Sequence, residues 1–228
     1  MSSKRWLAAL RGLGMIALSL SAAAANAVLL APGGTAALPG TTSAAEPQLA
    51  GVVLEDELVP FAFAANGGSI SGRVQVRVVR STVDNTLDFY WRVFNSADSS
   101  GVIGSFRIGD FVTSAYNANW RIDGLGDIAP ESATRFSGAF DSFVNFNFGD
   151  ELLPGLTSRF MFLDTDATDY ARNALYDLTN LGQTQISQSF AMFGPVRGGT
   201  VPEPGSLALL CAAGLAGGVL ARRRAQGT

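Results

Sequence analysis

The 228-residue sequence is 47% hydrophobic and 15% charged, a balance that suits one globular domain plus one or two apolar targeting segments and excludes a disordered chain. With no histidine and a single cysteine, it excludes Ser-His-Asp and Cys-His catalysis, histidine zinc sites and an intramolecular disulfide. Residues 28–200 hold ten Arg against eighteen Asp and Glu, a net charge of about −8. This charge argues against binding to nucleic acid or anionic membranes, and is compatible with neutral glycans, cations or plain solubility.

Residues 1–27 have the layout of a secretory signal peptide. Basic residues precede an apolar run at 13–20, and small residues close the segment at Ala25 and Ala27. An Ala-x-Ala pattern of this kind is a cleavage site for signal peptidase. We therefore expect a signal-peptide helix, export across the inner membrane, and a mature chain that begins at Val28.

The next part of the chain divides into a lead-in and a β-rich body. Residues 28–50 are rich in Ala, Gly, Pro and Thr without periodicity, which predicts a flexible lead-in. In the body, residues 51–196, hydrophobic and polar residues alternate at 74–78 and 87–93 around a turn-like segment, which predicts an antiparallel hairpin. Further strands are predicted at residues 102–108, 119–122, 134–140, 143–148, 158–164 and 185–193.

The fold class predicted for the body is an all-β antiparallel sandwich. Short strands separated by turn signals such as Asp123-Gly124 favour a sandwich over a parallel α/β sheet. Residues 169–178 place apolar side chains near helical spacing and predict one short helix, with a loop as the alternative.

The C-terminal segment combines a proline motif, an apolar stretch and a basic end. Residues 197–206 form a linker, and the fifteen apolar residues 207–221 predict a transmembrane helix of roughly 22 Å, short of the ~30 Å hydrocarbon core. Such a helix suits a temporary anchor, with residues 222–228 as a basic cytoplasmic tail. The residues of the motif and of the basic stop are Pro202, Glu203, Pro204, Gly205, Ser206, Arg222, Arg223 and Arg224.

These features in this order resemble the PEP-CTERM sorting signal of Gram-negative bacteria. The resemblance implies that an exosortase, a membrane cysteine protease, processes the tail and passes the body toward the cell surface. The body also loosely resembles other PEP-CTERM ectodomains at residues 87–91 and 165–170, which supports a β-rich exported domain and implies no activity. The position of tail cleavage, before or after the prolines, stays open.

Three carboxylates are the candidates for a metal site. Asp164, Asp166 and Asp169 are spaced as in a calcium loop, because hard cations take several oxygens from one turn. An EF-hand loop would need Gly where this chain has Asp169 and Glu where it has Leu175. We therefore expect no cofactor, with calcium as the alternative, and read residues 55–57 as a solvated charge run before the first strand.

The acidic and aromatic residues of the body are the candidates for catalysis and for carbohydrate contact. A glycosidase would need two carboxylates across a cleft, and no pair among the acidic residues is marked by the sequence. Tyr90, Tyr116 and Trp120 could stack on sugars from an exposed face, although core packing is the more common use of such residues. We predict a non-catalytic structural or adhesive protein of the cell envelope or exopolysaccharide matrix, processed by signal peptidase and exosortase. The alternatives are a carboxylate-dependent hydrolase and a calcium-stabilised carbohydrate-binding module.

Overall fold

A computed structural model of the protein describes residues 26–65, 67–180 and 185–196. They form two six-stranded antiparallel sheets with a shared hydrophobic interior, which confirms the predicted β-sandwich. The first sheet has the strand order β1-β7-β10-β5-β4-β3 and the second has the order β12-β11-β6-β9-β8-β2. The strands are β1 (Val28–Leu29), β2 (Thr35–Ala37), β3 (Gly51–Ala65), β4 (Gly68–Ser81), β5 (Leu87–Asn95), β6 (Ile103–Gly109), β7 (Asn117–Trp120), β8 (Ser132–Arg135), β9 (Val144–Leu152), β10 (Met161–Asp164), β11 (Tyr170–Thr179) and β12 (Phe190–Pro195).

The hairpin predicted from alternation is formed by β4 and β5. The two strands pair antiparallel in a register that sets Val76 opposite Trp91. Because successive side chains on a strand point to opposite faces, the hydrophobic positions of both strands enter the interior and the polar ones face outward.

Trp91 lies in the centre of the interior and links the two sheets. Its side chain is fully buried, and its ring centroid lies 6.0 Å from that of Phe106 on β6 and 6.2 Å from that of Phe146 on β9. Its indole N–H donates to the Met192 sulfur at 3.2 Å. Aromatic packing in tilted geometry therefore supplies much of the contact between the sheets.

The helix predicted at residues 169–178 is wrong, because this segment is strand β11. Ala174, Tyr176 and Leu178 alternate into the interior, and β11 pairs with both β6 and β12. The sequence carried a period-two pattern beside the helical one, and the ladder bonds of two neighbouring strands favour the extended form.

Among the other sequence assignments that differ from the structure are a strand and a charge run. The strand predicted at 134–140 ends at Arg135, and a 3-10 turn at Gly138–Phe140 follows it, opened by Gly138 at φ +67°. Residues 55–57 do not precede the first strand of the body but lie within β3, where the Glu57 carboxylate contacts Arg172 at 2.6 Å.

Residues 28–50, expected to be a flexible lead-in, pack against both sheets. They contribute edge strands β1 and β2 and a 3-10 helix at Pro47–Leu49. Leu30, Leu38 and Leu49 are buried. Isolated leucines so far apart in sequence produce no periodicity, so the pattern could not reveal that they anchor the segment.

The predicted signal-peptide helix up to Ala25, the motif residues Pro202 to Ser206, the transmembrane stretch 207–221 and the basic stop at Arg222 to Arg224 lie outside the described residues. Among the residues that are described, no helix is long and apolar enough to cross a membrane.

Candidate functional site

The outer face of the first sheet carries the candidate site. Alternation on β4 and β5 turns Gln75, Arg77 and Tyr90 away from the interior. The 3-10 helix at Pro47–Leu49 lies over this face, and Leu49 joins a second, smaller hydrophobic cluster there. That cluster contains Leu49, Val79, Tyr90, Phe160 and Phe162.

A cavity of about 420 Å³ opens beside this cluster. We call it the polar groove, and define it by the lining residues Leu49, Gln75, Arg77, Arg121, Asp123 and Phe160. Two further lining side chains, Val53 and Leu125, are 48% and 68% exposed. The groove thus presents hydrogen-bonding groups next to exposed apolar surface.

Arg77 is held on one side of the groove. Its guanidinium contacts the Asp56 carboxylate at 2.8 Å and lies 4.9 Å from the centroid of the Phe160 ring. Gln75 donates to the other Asp56 oxygen at 2.7 Å. Burial alone would raise the pKa of Asp56, but the hydrogen bonds from Arg77 and Gln75 outweigh it and lower that pKa.

Arg121 is held on the opposite side. It binds the Asp123 carboxylate through two nitrogens, at 2.6 and 2.9 Å, and donates to the Leu49 carbonyl at 3.3 Å. The hydrogen bonds from Arg121 hold the pKa of Asp123 well below its usual range, and the backbone N–H of Ser43 adds a further bond at 3.0 Å. Through the Leu49 carbonyl and the Ser43 N–H, these contacts attach the segment that contains the 3-10 helix to the first sheet.

The polar groove suits an uncharged ligand rich in hydroxyl groups. Each of its arginines already has a carboxylate partner, so an anion would have to compete with Asp56 or Asp123. The hydrogen-bonding groups of the groove thus lie next to the exposed apolar side chains of Leu125 and Val53.

A second feature of the same face is a group of three carboxyls, the buried Glu46 and Asp88 and the half-buried Asp164, which we call the carboxyl cluster. Asp88 and Asp164 are directly opposite each other on β5 and β10. Asp88 is fully buried, and neither of its carboxylate oxygens accepts a hydrogen bond from a donor in the described chain. Burial, reinforced by the charge of Asp164, raises the pKa of Asp88 to about 9, and burial likewise raises the pKa of Asp164 and Glu46.

The carboxyl cluster does not form a hydrolytic pair. A glycosidase needs two carboxyl groups that both reach the substrate across a cleft. Asp88 lies beneath the surface with no exposed fraction, so a substrate placed against Asp164 would not contact it.

The three calcium candidates are not brought together. Asp164 belongs to the carboxyl cluster, Asp166 accepts hydrogen bonds from the hydroxyls of Thr113 and Ser114, and Asp169 accepts one from the neighbouring Tyr170 N–H at 2.9 Å. Across residues 26–65, 67–180 and 185–196, no group of three or more acidic, His or Cys side chains is placed to hold a metal ion.

The three aromatic candidates do not form an exposed stacking surface. Tyr90 and Tyr116 are buried, and their hydroxyls donate to the carbonyls of Leu49 at 2.8 Å and Phe111 at 2.6 Å. The half-buried Trp120 donates its indole N–H to the Leu38 carbonyl at 3.0 Å. The structure thus assigns all three to packing.

Sequence reasoning missed most of the residues in the polar groove. Gln75 and Arg77 occupied the outward positions of a predicted strand, so the alternation could have indicated their face. Arg121 and Asp123 lie after β7 in a turn, where no local pattern shows which strands they will meet.

Comparison with known proteins identifies the C-terminal segment. Residues 200–224 match the family model of the PEP-CTERM protein-sorting motif. The match includes the predicted motif at Pro202-Glu203-Pro204 and the basic stop that ends at Arg224. No curated protein and no solved structure matches the chain. The motif implies processing by an exosortase, export, and membrane-anchored transit before processing.

Proposed function

We propose that this protein is a surface-sorted structural or adhesive component of the cell envelope or exopolysaccharide matrix, with no catalytic role. The observation that carries the proposal is the sorting motif at residues 200–224. A β-sandwich with an open groove suits binding to a polysaccharide segment.

The proposed route has two processing steps in a Gram-negative host. Signal peptidase removes residues 1–27 during export, and the short helix at 207–221 then holds the chain in the inner membrane with Arg222 to Arg224 on the cytoplasmic side. An exosortase cuts near Pro202-Glu203-Pro204 and releases the body toward the cell surface.

The charge and groove of the body support a neutral glycan as the ligand class. The acidic surface repels anionic headgroups and phosphate backbones. In the polar groove, paired Arg77 and Arg121 offer directional hydrogen bonds without a free net charge. These properties favour a segment of uncharged polysaccharide along the groove.

Sorting is tested by replacing Pro202-Glu203-Pro204 with three alanines in the original host. Cell fractionation and intact mass should show wild-type protein outside the inner membrane without its arginine tail, and the variant retained there with it. Pro154→Ala, at an exposed proline of the body, is the matched control and should sort normally. Wild-type protein that keeps Arg222 to Arg224 in the inner membrane would refute the proposal.

Adhesion is tested by retention of the protein on immobilised exopolysaccharide from the same host. Leu125→Asp places a charge at the polar groove and should abolish retention, because desolvating the new carboxylate opposes contact with a sugar. Leu153→Asp, at another exposed leucine that does not line this groove, should leave retention intact. Free passage of the wild-type protein would sink the adhesive role.

A further inference from the structure

Among the residues that the structure describes, none forms an ion pair with a carboxylate of the carboxyl cluster. Glu46 is 4% exposed, and its second oxygen, Oε2, accepts no hydrogen bond from a donor in the described chain. The nearby cation is Arg121, which is already bound to Asp123 and to the Leu49 carbonyl. Arg121 acts electrostatically on both Glu46 and Asp88, so these two buried carboxyls share one guanidinium that already has a carboxylate partner.

The first described residues of the chain lie beside this cluster. The backbone N–H of Ala27 donates to Glu46, and the Asn26 carbonyl accepts from the Asn119 side chain at 3.3 Å. Val28 follows immediately and pairs with Ala118 in β1, the edge strand of the first sheet. A cavity of about 310 Å³ lies beside these residues, and its lining includes Asn26, Ala27, Glu46, Gln48, Asn117 and Asp164.

Signal peptidase is expected to cut the bond between Ala27 and Val28. The Ala27 N–H donates to the Glu46 carboxylate, so this bond joins the residue that contacts Glu46 to Val28. Hydrolysis adds water across this bond: the hydroxyl stays with the departing Ala27 as a carboxyl group, and the Val28 nitrogen becomes an amine that takes up a proton. A neutral amide is replaced by a cation with three N–H donors. Removal of Asn26 and Ala27 also clears the space between that cation and the carboxylates.

We propose that the new α-ammonium group of Val28 is the counter-ion of Glu46 and Asp164, so that removal of the signal peptide completes the folded domain. The inference rests on the proposed export of the protein. Strand β1 would hold the ammonium group at the cluster through its pairing with β7, while Glu46 and Asp164 accept its protons in place of the lost Ala27 N–H.

The proposal has a consequence for titration of the mature protein. The charged and titratable groups that interact with Glu46, Asp88 or Asp164 are Asp84 in the β4–β5 turn, Tyr90 on β5 and Arg121 after β7. Carboxylates predominate, and nearby negative charge favours the protonated amine. The α-amine should therefore titrate above the ordinary range of about 7.7–8.0 for such a group.

The test uses the full chain, expressed with its own signal segment in a Gram-negative host and purified after export. Intact mass first establishes whether the chain begins at Val28. Reductive ¹³C-methylation of the α-amine, followed by NMR across pH, then gives its pKa. We expect a pKa at least one unit above the ordinary α-amine range, and a return to that range in Glu46→Gln. Asp98→Asn, at an exposed carboxylate, is the control and should leave the value unchanged.

The outcomes separate this inference from the proposal it rests on. A chain that keeps residues 1–27, or begins elsewhere, overturns the export route together with the inference. A chain that begins at Val28 but has an ordinary α-amine pKa overturns the inference alone. If Glu46→Gln is not recovered folded, the pKa of the wild-type amine still decides between these results.

Discussion

Replacement of Asp88 by asparagine should make the protein more stable, and increasingly so as pH rises. Burial raises the pKa of Asp88 from 3.8 to about 9 in the folded state. Between these two values the folded protein holds a proton that the unfolded chain has lost, so the folded state loses stability as pH increases through this window. Asparagine cannot ionise, and its amide can donate to Asp164 across the strand pair.

The size of the stability gain follows from the pH interval between the unfolded and folded pKa values of Asp88. Each pH unit between the unfolded and folded pKa costs about 1.4 kcal/mol, and about three units separate the unfolded value from pH 7. The gain from Asp88→Asn is therefore roughly 4 kcal/mol at pH 7 and close to zero near pH 4. For a protein of this size that gain corresponds to roughly 10 °C in melting temperature.

Thermal melts of wild-type protein and Asp88→Asn between pH 4 and pH 9 measure this difference. Asp98→Asn, at an exposed carboxylate with no partner role in the carboxyl cluster, controls for the loss of one charge and should follow the wild-type curve. A stability difference that is independent of pH, or a destabilised Asp88→Asn at pH 8, would refute the reasoning.

Three further predictions concern the body. Trp91→Ala should lower the free energy of unfolding by about 3–5 kcal/mol in denaturant titrations, because the indole fills the centre of the interior. Leu153→Ala, at an exposed position, is the control, and a smaller loss in Trp91→Ala than in this control would contradict the prediction. Gly40→Ala should cost about 1–3 kcal/mol in the same assay, since Gly40 has φ +80° and a Cβ there would lie 2.6 Å from the Trp120 ring. Millimolar calcium should leave the melting temperature unchanged; a rise abolished by Asp164→Asn would instead support a calcium site.

The parts of the fold that were predicted correctly share one property. The β4–β5 hairpin could be predicted from local sequence alone. Strict alternation around Val76 and Trp91 indicates strands with one buried and one exposed face, and the intervening turn indicates that the chain reverses direction. The sandwich is then favoured, because the body offers further short strands and a second sheet can bury the hydrophobic face of the first. At β11 the same local evidence was ambiguous, and pairing with β6 and β12 decided it.

The candidate site was predicted far less well, for a physical reason. Glu46 and Asp164 are far apart in the chain, and both line the cavity at the edge of β1 only because β10 lies beside β7 in the first sheet. The sequence marks Tyr90 as an aromatic candidate but does not show that its hydroxyl donates to the Leu49 carbonyl. Charge and aromatic character are visible in a sequence, whereas burial and partner choice are not.

The sequence by itself determined the β class of the body and the sorting tail, because alternation and an ordered set of local motifs are read along the chain without knowledge of distant contacts. Only the tertiary structure decided that residues 28–50 pack against both sheets, that Arg77 and Arg121 line one groove, and that Glu46 and Asp164 line one cavity with Ala27. These features depend on which strands become neighbours, and strand order is set by the packing of the whole domain.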